Sequence, residues 1–335
     1  MRSVFHCKLI NDVLGDPGVY VSVRHLRRAM MFDLGQNDPL SPRELLALTD
    51  VFVTHCHIDH FVGFDRLLRV CLGRPARIRL YGPADFIRHV AARLGGYLWN
   101  LADRYDLGLE LEVLEVGEGG RGRTATFRLV DGFAPSAERE VELVDGIVLD
   151  EDDLRVRVAI LDHKTPCLGY VLEEKGHIGI KKNLLESRGW PVGPWLNEVK
   201  SAARAELADT ATFDVPGAGV ATLGQLRDCL VQGPGQRVAY LTDLGYTASN
   251  LERIKALAFG ADLLFIESSF GAGEGERARD RFHLTTHQAG WIARHLEAAR
   301  VIPFHLSLRH AHERDALIAE VMAAWRGAVE PGLAW

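Results

Sequence analysis

Apolar positions along the first third of the chain fall into short runs separated by stretches of helical spacing. Val19–Val23 and Ala29–Phe32 read as strands, the second ending in Asp33-Leu34-Gly35. Ser41-Pro42-Arg43-Glu44 has the form of a helix start, with Ser as N-cap and Pro in the first turn. Asp50–Thr54 (DVFVT) is a β-branched run of the kind a buried strand needs. Phe64–Cys71 then predicts a helix and Ile78–Tyr81 the next strand. In the middle of the chain, Leu109–Val116, Thr124–Leu129, Arg139–Val144 and Leu154–Leu161 alternate apolar with polar residues, which predicts half-buried strands. Gly117–Gly122 (GEGGRG) reads as a loop or hairpin tip.

The segment from Glu173 to Glu206 breaks this rhythm. It mixes Lys, Gly, Pro and Trp, and reads as an insertion carrying one or two short helices. Regular alternation then returns. Arg237–Thr242, Asp262–Glu267 and Arg300–Phe304 predict strands, Asn250–Phe259 and Thr286–Ala299 helices, and His312–Arg326 an amphipathic final helix. Strands mixed with helices throughout point to sheets covered by helices.

Composition narrows the class. The 335 residues are 47% hydrophobic and 25% charged, which excludes collagen-like, disordered and disulfide-scaffold chains. No run of eighteen apolar residues occurs and the first residues lack a signal-peptide core, so a cytoplasmic protein without a membrane role is expected. Cys7, Cys56, Cys71, Cys167 and Cys229 are odd in number and free of CxxC spacing, as in a chain of reduced thiols. The net charge is −6, so any nucleic-acid role rests on a local patch rather than on the overall balance.

The chemistry concentrates in His55-Cys56-His57-Ile58-Asp59-His60, directly after the strand DVFVT. Three imidazoles and a carboxylate within six residues are donors suited to zinc, manganese or iron. In a tightly turned loop His55 and His57 can aim at one ion, and Asp59 and His60 at a second. The histidines His6, His25, His89, His177, His287, His295, His310 and His312 show no such grouping and read as solvated or packed side chains.

The pattern HxHxDH resembles that of the metallo-β-lactamase superfamily, and further segments extend the likeness from about residue 50 to residue 310. Leu161–Tyr170 (LDHKTPCLGY) is similar to the "DHxxPxxGY" stretch of the ribonuclease Z branch. Gly189-Trp190-Pro191-Val192-Gly193-Pro194, with Leu196 and Lys200, is similar to the "GxPxGPxxxxLK" segment of its tRNA-gripping flexible arm. Tyr240-Leu241-Thr242-Asp243 stands at its "GDT", Ile266–Phe270 (IESSF) at its "HEATF", His283-Leu284-Thr285-Thr286 at its "HSTxxxA" and Pro303–Arg309 (PFHLSLR) at its "HxSxR".

The resemblance implies a four-layer αβ/βα sandwich, an α/β fold of two mixed sheets with helices outside. Residues 1–335 would form a single domain of this kind, with the arm inserted at 173–206. It also implies a metal-dependent hydrolase that trims the 3′ end of precursor tRNA with a hydroxide activated by two divalent ions, zinc first, manganese or iron as alternatives. His55, His57 and His163 would hold the first ion and Asp59, His60 and His305 the second, with Asp243 bridging them. Asp59 would also orient the water as a base, and His283 would give a proton to the leaving 3′-oxygen, its ring oriented by Glu267. A homodimer, with the arm reaching the partner's active site, is implied as well.

The chain departs from the pattern at its start, where FHCKLINDVLGDPG replaces the strand ending in LGTG. Asp33–Asp38 matches the "DCGEGTQ" turn only in part, and Ile266 replaces the first His of "HEAT". In the arm, Lys175, Lys181, Lys182, Arg188, Lys200 and Arg204 are offset by Glu173, Glu174, Glu186, Glu198 and Glu206. Phosphate contact depends on cations and counterion release. These departures keep a second reading open: a hydrolase of the same scaffold acting on a small phosphodiester or an ester, with no tRNA role.

Overall fold

The computed structural model describes residues 4–24, 28–102 and 108–327; His25 lies outside them. They divide into two compact units, one within residues 1–150, 155–172 and 237–335, the other of 151–154 and 173–236.

The first unit opens with β1 (Phe5–Leu9), β2 (Val19–Val23), β3 (Arg28–Phe32), α1 (Pro42–Leu46), β4 (Leu48–Phe52), α2 (Ile58–Phe61) and α3 (Phe64–Cys71). It continues with β5 (Ala76–Pro83), α4 (Phe86–Gly95), β6 (Leu109–Val116), β7 (Arg121–Arg128) and β8 (Arg139–Glu142). These eight strands form one sheet in chain order, parallel from β3 to β6 and antiparallel at both flanks. Next come β9 (Ile147–Asp150), β10 (Leu154–Asp162) and β11 (Pro166–Glu174).

The second unit carries β12 (His177–Ile180), α5 (Lys182–Ser187), α6 (Trp195–Arg204), β13 (Thr212–Val215), β14 (Gly219–Thr222), α7 (Leu223–Arg227) and β15 (Leu230–Gly233). β12 pairs with β15, and β13 with β14. Leu185, Trp195, Leu196, Val199, Val215, Leu223 and Leu226 form its own core. The compact unit therefore runs past Glu206 to Gln236, because β13, β14 and α7 complete the core that α5 and α6 begin. The helices anticipated between 173 and 206 are α5 and α6.

The chain then returns to the first unit with β16 (Arg237–Leu241), α8 (Ala248–Ala258), β17 (Leu263–Glu267), α9 (Gly275–Arg281), α10 (Thr286–His295), β18 (Val301–Phe304) and α11 (Arg314–Trp325). A second sheet has the order β18-β17-β16-β11-β10-β9, with β16, β17 and β18 parallel.

Helices cover the outer face of each sheet. Leu45, Phe64, Leu67, Phe86, Val90 and Leu94 bury against Leu80, Leu111 and Val113 of the first sheet. Ile254, Leu257, Ala289, Ile292 and Val321 do the same for the second. Between the sheets runs a row of aromatic rings. Tyr81 stacks on Phe52 at 4.6 Å, Phe52 on Phe32 at 5.2 Å, Phe32 on Tyr240 at 5.5 Å, and Tyr240 packs on Phe304 at 5.2 Å. All are buried, so the face-to-face core contributes transfer energy and fixes the lateral register of the two sheets. The architecture is the four-layer αβ/βα sandwich.

Some elements exceed the sequence reading. β1, α4, β9 and β11 were not anticipated. The final helix starts at Arg314 rather than His312, because Leu308–Glu313 wind as a tighter 3₁₀ turn. α10 stops at His295 rather than Ala299, where Glu297 turns into the left-handed region at φ 52°.

Candidate metal centre

The site lies where parallel strands end, the position in which open α/β sheets bind ligands. β4 leads into the loop that bears His55 and His57 and into α2, which bears Asp59 and His60. Asp243 follows β16, Glu267 is the last residue of β17, and His305 follows β18. His163 sits in the turn between β10 and β11, and His283 in the turn between α9 and α10.

The backbone is bent to make these turns. Asp243, His305 and Asp33 occupy the left-handed region at φ 48°, 56° and 56°, as do Lys164 and Phe282, which adjoin His163 and His283, at 60° and 58°. Each such non-glycine residue costs about 1–3 kcal/mol and persists only where its surroundings hold it. Close packing does so here. Gly35 admits no side chain, since a Cβ would lie 2.5 Å from the Pro17 carbonyl oxygen and 2.7 Å from that of Asp59. The Leu34 amide donates to the His60 carbonyl at 2.8 Å, and the Asn37 amide group donates to that of Gly63 at 2.9 Å.

The side chains gather in two groups. Donor atoms of His55, His57, His163 and Asp243 lie within 4.8 Å of one another, and so do those of Asp59, His60 and His305. Asp243 faces both groups. Its Oδ2 is 3.5 Å from His55 Nε2, 3.6 Å from His163 Nε2 and 3.3 Å from His60 Nε2, while Oδ1 is 3.2 Å from His305 Nε2. Asp59 Oδ2 lies 3.5 Å from His60 Nε2 and 3.7 Å from His305 Nε2.

Two features fit this donor set to divalent cations. His60 Nε2 is buried with no hydrogen-bond partner, a costly arrangement for a polar atom unless something binds it. The opposite ring nitrogens are already engaged. His60 Nδ1 is 2.9 Å from Asp33 Oδ2, and His163 Nδ1 is 2.7 Å from the Phe282 carbonyl, so each directs Nε2 inward as a metal-ligating histidine requires. Charge follows the same logic. Burial, reinforced by His60 and the other rings against the pull of Asp243, pushes the His55 imidazole down to about 2, so it stays a neutral donor. Burial raises the Asp243 carboxyl, but His305 and His60 outweigh it and hold the group well below the ordinary carboxylate range.

His283 and Glu267 form a separate pair. His283 also comes within 4.8 Å of Asp243 and His305, but its Nδ1 is taken by Glu267, with Oε2 at 3.1 Å and Oε1 at 3.2 Å. Burial alone would lower the ring's proton affinity. The Glu267 carboxylate outweighs it and raises the imidazole to about 9, while His283 in turn overcomes burial and lowers Glu267.

Sequence reasoning missed three polar residues behind the site. Asp33 and Tyr240 meet at 2.9 Å behind His60, and the Ser269 hydroxyl donates to Glu267 at 2.7 Å. Asp33 and Ser269 follow apolar strands, where a polar residue was the available signal, whereas Tyr240 lies within β16 and gave none. His6, His89, His287, His295, His310 and His312 do not join the cluster. Arg309 is exposed at the rim.

Comparison with known proteins agrees with this geometry. A family model described as "Beta-lactamase superfamily domain" matches residues 12–178 and 219–306. The chain is 31% identical to a ribonuclease Z of Deinococcus radiodurans over 298 residues, covering 88% of this chain and 86% of that protein. It is 29% identical to a ribonuclease Z of Myxococcus xanthus over 315 residues, 90% of this chain and 85% of the relative. Among solved structures, the short form of human tRNase Z superposes with a TM-score of 0.52 at 16% identity, covering 91% of this chain and 92% of that one, a likeness of fold.

Proposed function

From the premise that the chain belongs to the beta-lactamase superfamily and, within it, to the ribonuclease Z family, we propose that it cuts 3′-extended precursor tRNA endonucleolytically. It is a metal-dependent hydrolase. The observation that carries the substrate reading is the 31% identity to a ribonuclease Z across nearly the whole chain, with the donor cluster intact.

In this reading His55, His57 and His163 would hold one cation and Asp59, His60 and His305 the other, with Asp243, which faces both groups, shared between them. Two divalent ions so held, zinc by the nitrogen-rich donor set, would supply Lewis acidity and lower the pKa of water toward neutrality. The remaining tasks fall to side chains. Asp59, one-third exposed with Oδ2 facing His60 and His305, accepts the proton of the attacking water and orients it. His283, kept charged by Glu267, gives its proton to the 3′-oxygen as the P–O bond breaks. Glu267 and Ser269 hold the ring during that transfer.

The unit around 173–236 is the arm in this reading, displaying the Gly189–Pro194 loop to the RNA. Arg188 packs over Trp190 at 5.3 Å and braces that loop. A cytoplasmic homodimer completes the proposal. All five cysteines are free thiols, no helix among the described residues is long and apolar enough to cross a membrane, and exposed Ile58, Val62 and Leu98 offer apolar surface for a second copy.

One observation favours a second reading, hydrolysis of a small phosphodiester or ester. In the arm unit Arg188 pairs with Asp228, Arg204 with Asp153 and Arg227 with Asp209, which leaves fewer cations for phosphate. The test compares zinc-loaded protein on precursor tRNA and on an activated small phosphodiester. The tRNA reading expects kcat/KM on the RNA to exceed that on the small diester by orders of magnitude. The reverse order selects the second reading.

A further inference from the structure

Asp33 is fully buried on the left-handed turn after β3, and among the described residues its ion-pair partner is the His60 imidazole. Four donor groups converge on its carboxylate. The Thr54 amide donates to Oδ1 at 2.7 Å, and the Thr54 hydroxyl lies 3.0 Å from both oxygens. His60 Nδ1 and the Tyr240 hydroxyl both reach Oδ2, each at 2.9 Å. Tyr240 comes from β16, in the other sheet and 207 residues further along the chain.

We propose that Tyr240 is a positioning residue for the second cation: its hydroxyl fixes the Asp33 carboxylate, and Asp33 in turn fixes the His60 ring. This rests on the reading of His60 as a ligand. A carboxylate accepting at one oxygen only can turn about its Cβ–Cγ bond. Here the Thr54 amide pins Oδ1 and Tyr240 pins Oδ2, so the plane is set when His60 Nδ1 meets it. The ring then presents Nε2, the atom left without a partner, toward Asp59 and Asp243. The same strand carries Asp243 just beyond its end. β16 therefore sets both the carboxylate facing the two groups and the hydroxyl behind His60, so the spacing of the donor set is tied to the packing of one sheet on the other. Groups behind a metal-bound histidine typically change metal affinity by about 10–100-fold when removed.

Tyr170 provides a matched control. Like Tyr240 it is fully buried and packs on Phe32, with Phe52 as its other ring neighbour, but its hydroxyl donates to the Val53 carbonyl at 2.9 Å. The experiment is a titration of the metal-free full chain with Zn2+ against a chromophoric chelator, together with the visible spectrum of the Co2+ form. The unmodified protein, Tyr240→Phe, Tyr170→Phe and Asp33→Asn are compared. The proposal expects two tight equivalents in the unmodified protein and in Tyr170→Phe. In Tyr240→Phe one equivalent keeps its affinity, while the other weakens about 10–100-fold with a changed Co2+ spectrum. Asp33→Asn weakens the same equivalent. Unchanged affinities and spectrum in Tyr240→Phe overturn the proposal, as does an equal loss in Tyr170→Phe. Full second-site affinity in Asp33→Asn overturns it whether or not Tyr240→Phe folds. An unmodified protein that binds no metal overturns the metal-centre reading itself.

Discussion

Glu267 holds His283 by its Nδ1, with the carboxylate oxygens 3.1 and 3.2 Å away and the Ser269 hydroxyl 3.3 Å away. His60 and His163 are held at Nδ1 as well, so what suits His283 to the proposed role of acid is the charge that Glu267 confers on its ring. His283→Ala is expected to lower kcat on precursor tRNA by about 10²–10⁴-fold while both metal equivalents remain. Glu267→Gln, which keeps the hydrogen bond but loses the charge, is expected to lower it less. Metal analysis beside the kinetics checks this. Loss of an equivalent in His283→Ala would make that residue a ligand.

The proposed ligands predict the opposite pairing of effects. His57→Ala and Asp59→Ala each remove a donor from one group, so activity and metal content should fall together. Chelation of the unmodified protein should abolish turnover, and zinc should restore it. Binding to the folded state alone also stabilises it, by about 2.7 kcal/mol at a hundredfold excess over Kd, so the melting temperature should rise with added zinc. A melting temperature indifferent to zinc would contradict this.

Gly35 marks a close approach between the turn after β3 and α2, which bears Asp59 and His60. Gly35→Ala would press a methyl group against the Pro17 and Asp59 carbonyls. Overpacking of this kind costs about 1–3 kcal/mol, and relief requires the Asp59 backbone to move. Both a lower melting temperature and weaker metal binding are expected. A variant with unchanged stability and metal affinity would show that the turn yields elsewhere.

Asp50 tests the core rather than the site. Its carboxylate is fully buried and meets Arg28 at 2.7 Å, Arg79 at 2.7 Å and the Tyr81 hydroxyl at 3.2 Å. Asp50→Ala removes the buried carboxylate that Arg28 of β3 and Arg79 of β5 share. Breaking a buried pair typically costs about 3–5 kcal/mol, so chemical denaturation should show a loss of that order. A loss below about 1 kcal/mol would place this network with surface pairs in its effect.

In the proposed reading the second unit binds the RNA and takes no part in the chemistry. The Glu174 amide donates to the Gln236 carbonyl at 2.9 Å, so the ends of the second unit already meet. Replacing the residues between them with a short linker should abolish cleavage of precursor tRNA and spare a small activated phosphodiester. Equal loss of both activities would remove the arm from RNA binding.

Much of this was legible in the sequence, for local reasons. His55, His57, Asp59 and His60 lie within six residues, and a tight turn after a strand can bring them together whatever the rest of the fold does. His163, Asp243 and His305 showed no spacing of their own and were found only by resemblance, since strand ends in two sheets assemble them. Asp33 and Tyr240 could not be paired from sequence at all, because their contact exists only once the two sheets pack. α4 was missed although Phe86, Ile87, Val90 and Leu94 are its buried residues. It starts from Asp85 in the left-handed region without a side-chain cap, so the usual start signal is absent. That the compact unit reaches Gln236 could not be read from the sequence, because its core mixes small strands with helices and gives no single periodicity.

The most direct measurement is the cut itself. Zinc-loaded protein is incubated with a 3′-extended precursor tRNA and the product ends are mapped, with Asp59→Ala as blank. A single cut near the discriminator of the acceptor stem, absent from the blank, is the predicted result. No cut, from a protein that binds two metals and hydrolyses a small phosphodiester, would contradict the tRNA reading and leave the hydrolytic centre standing.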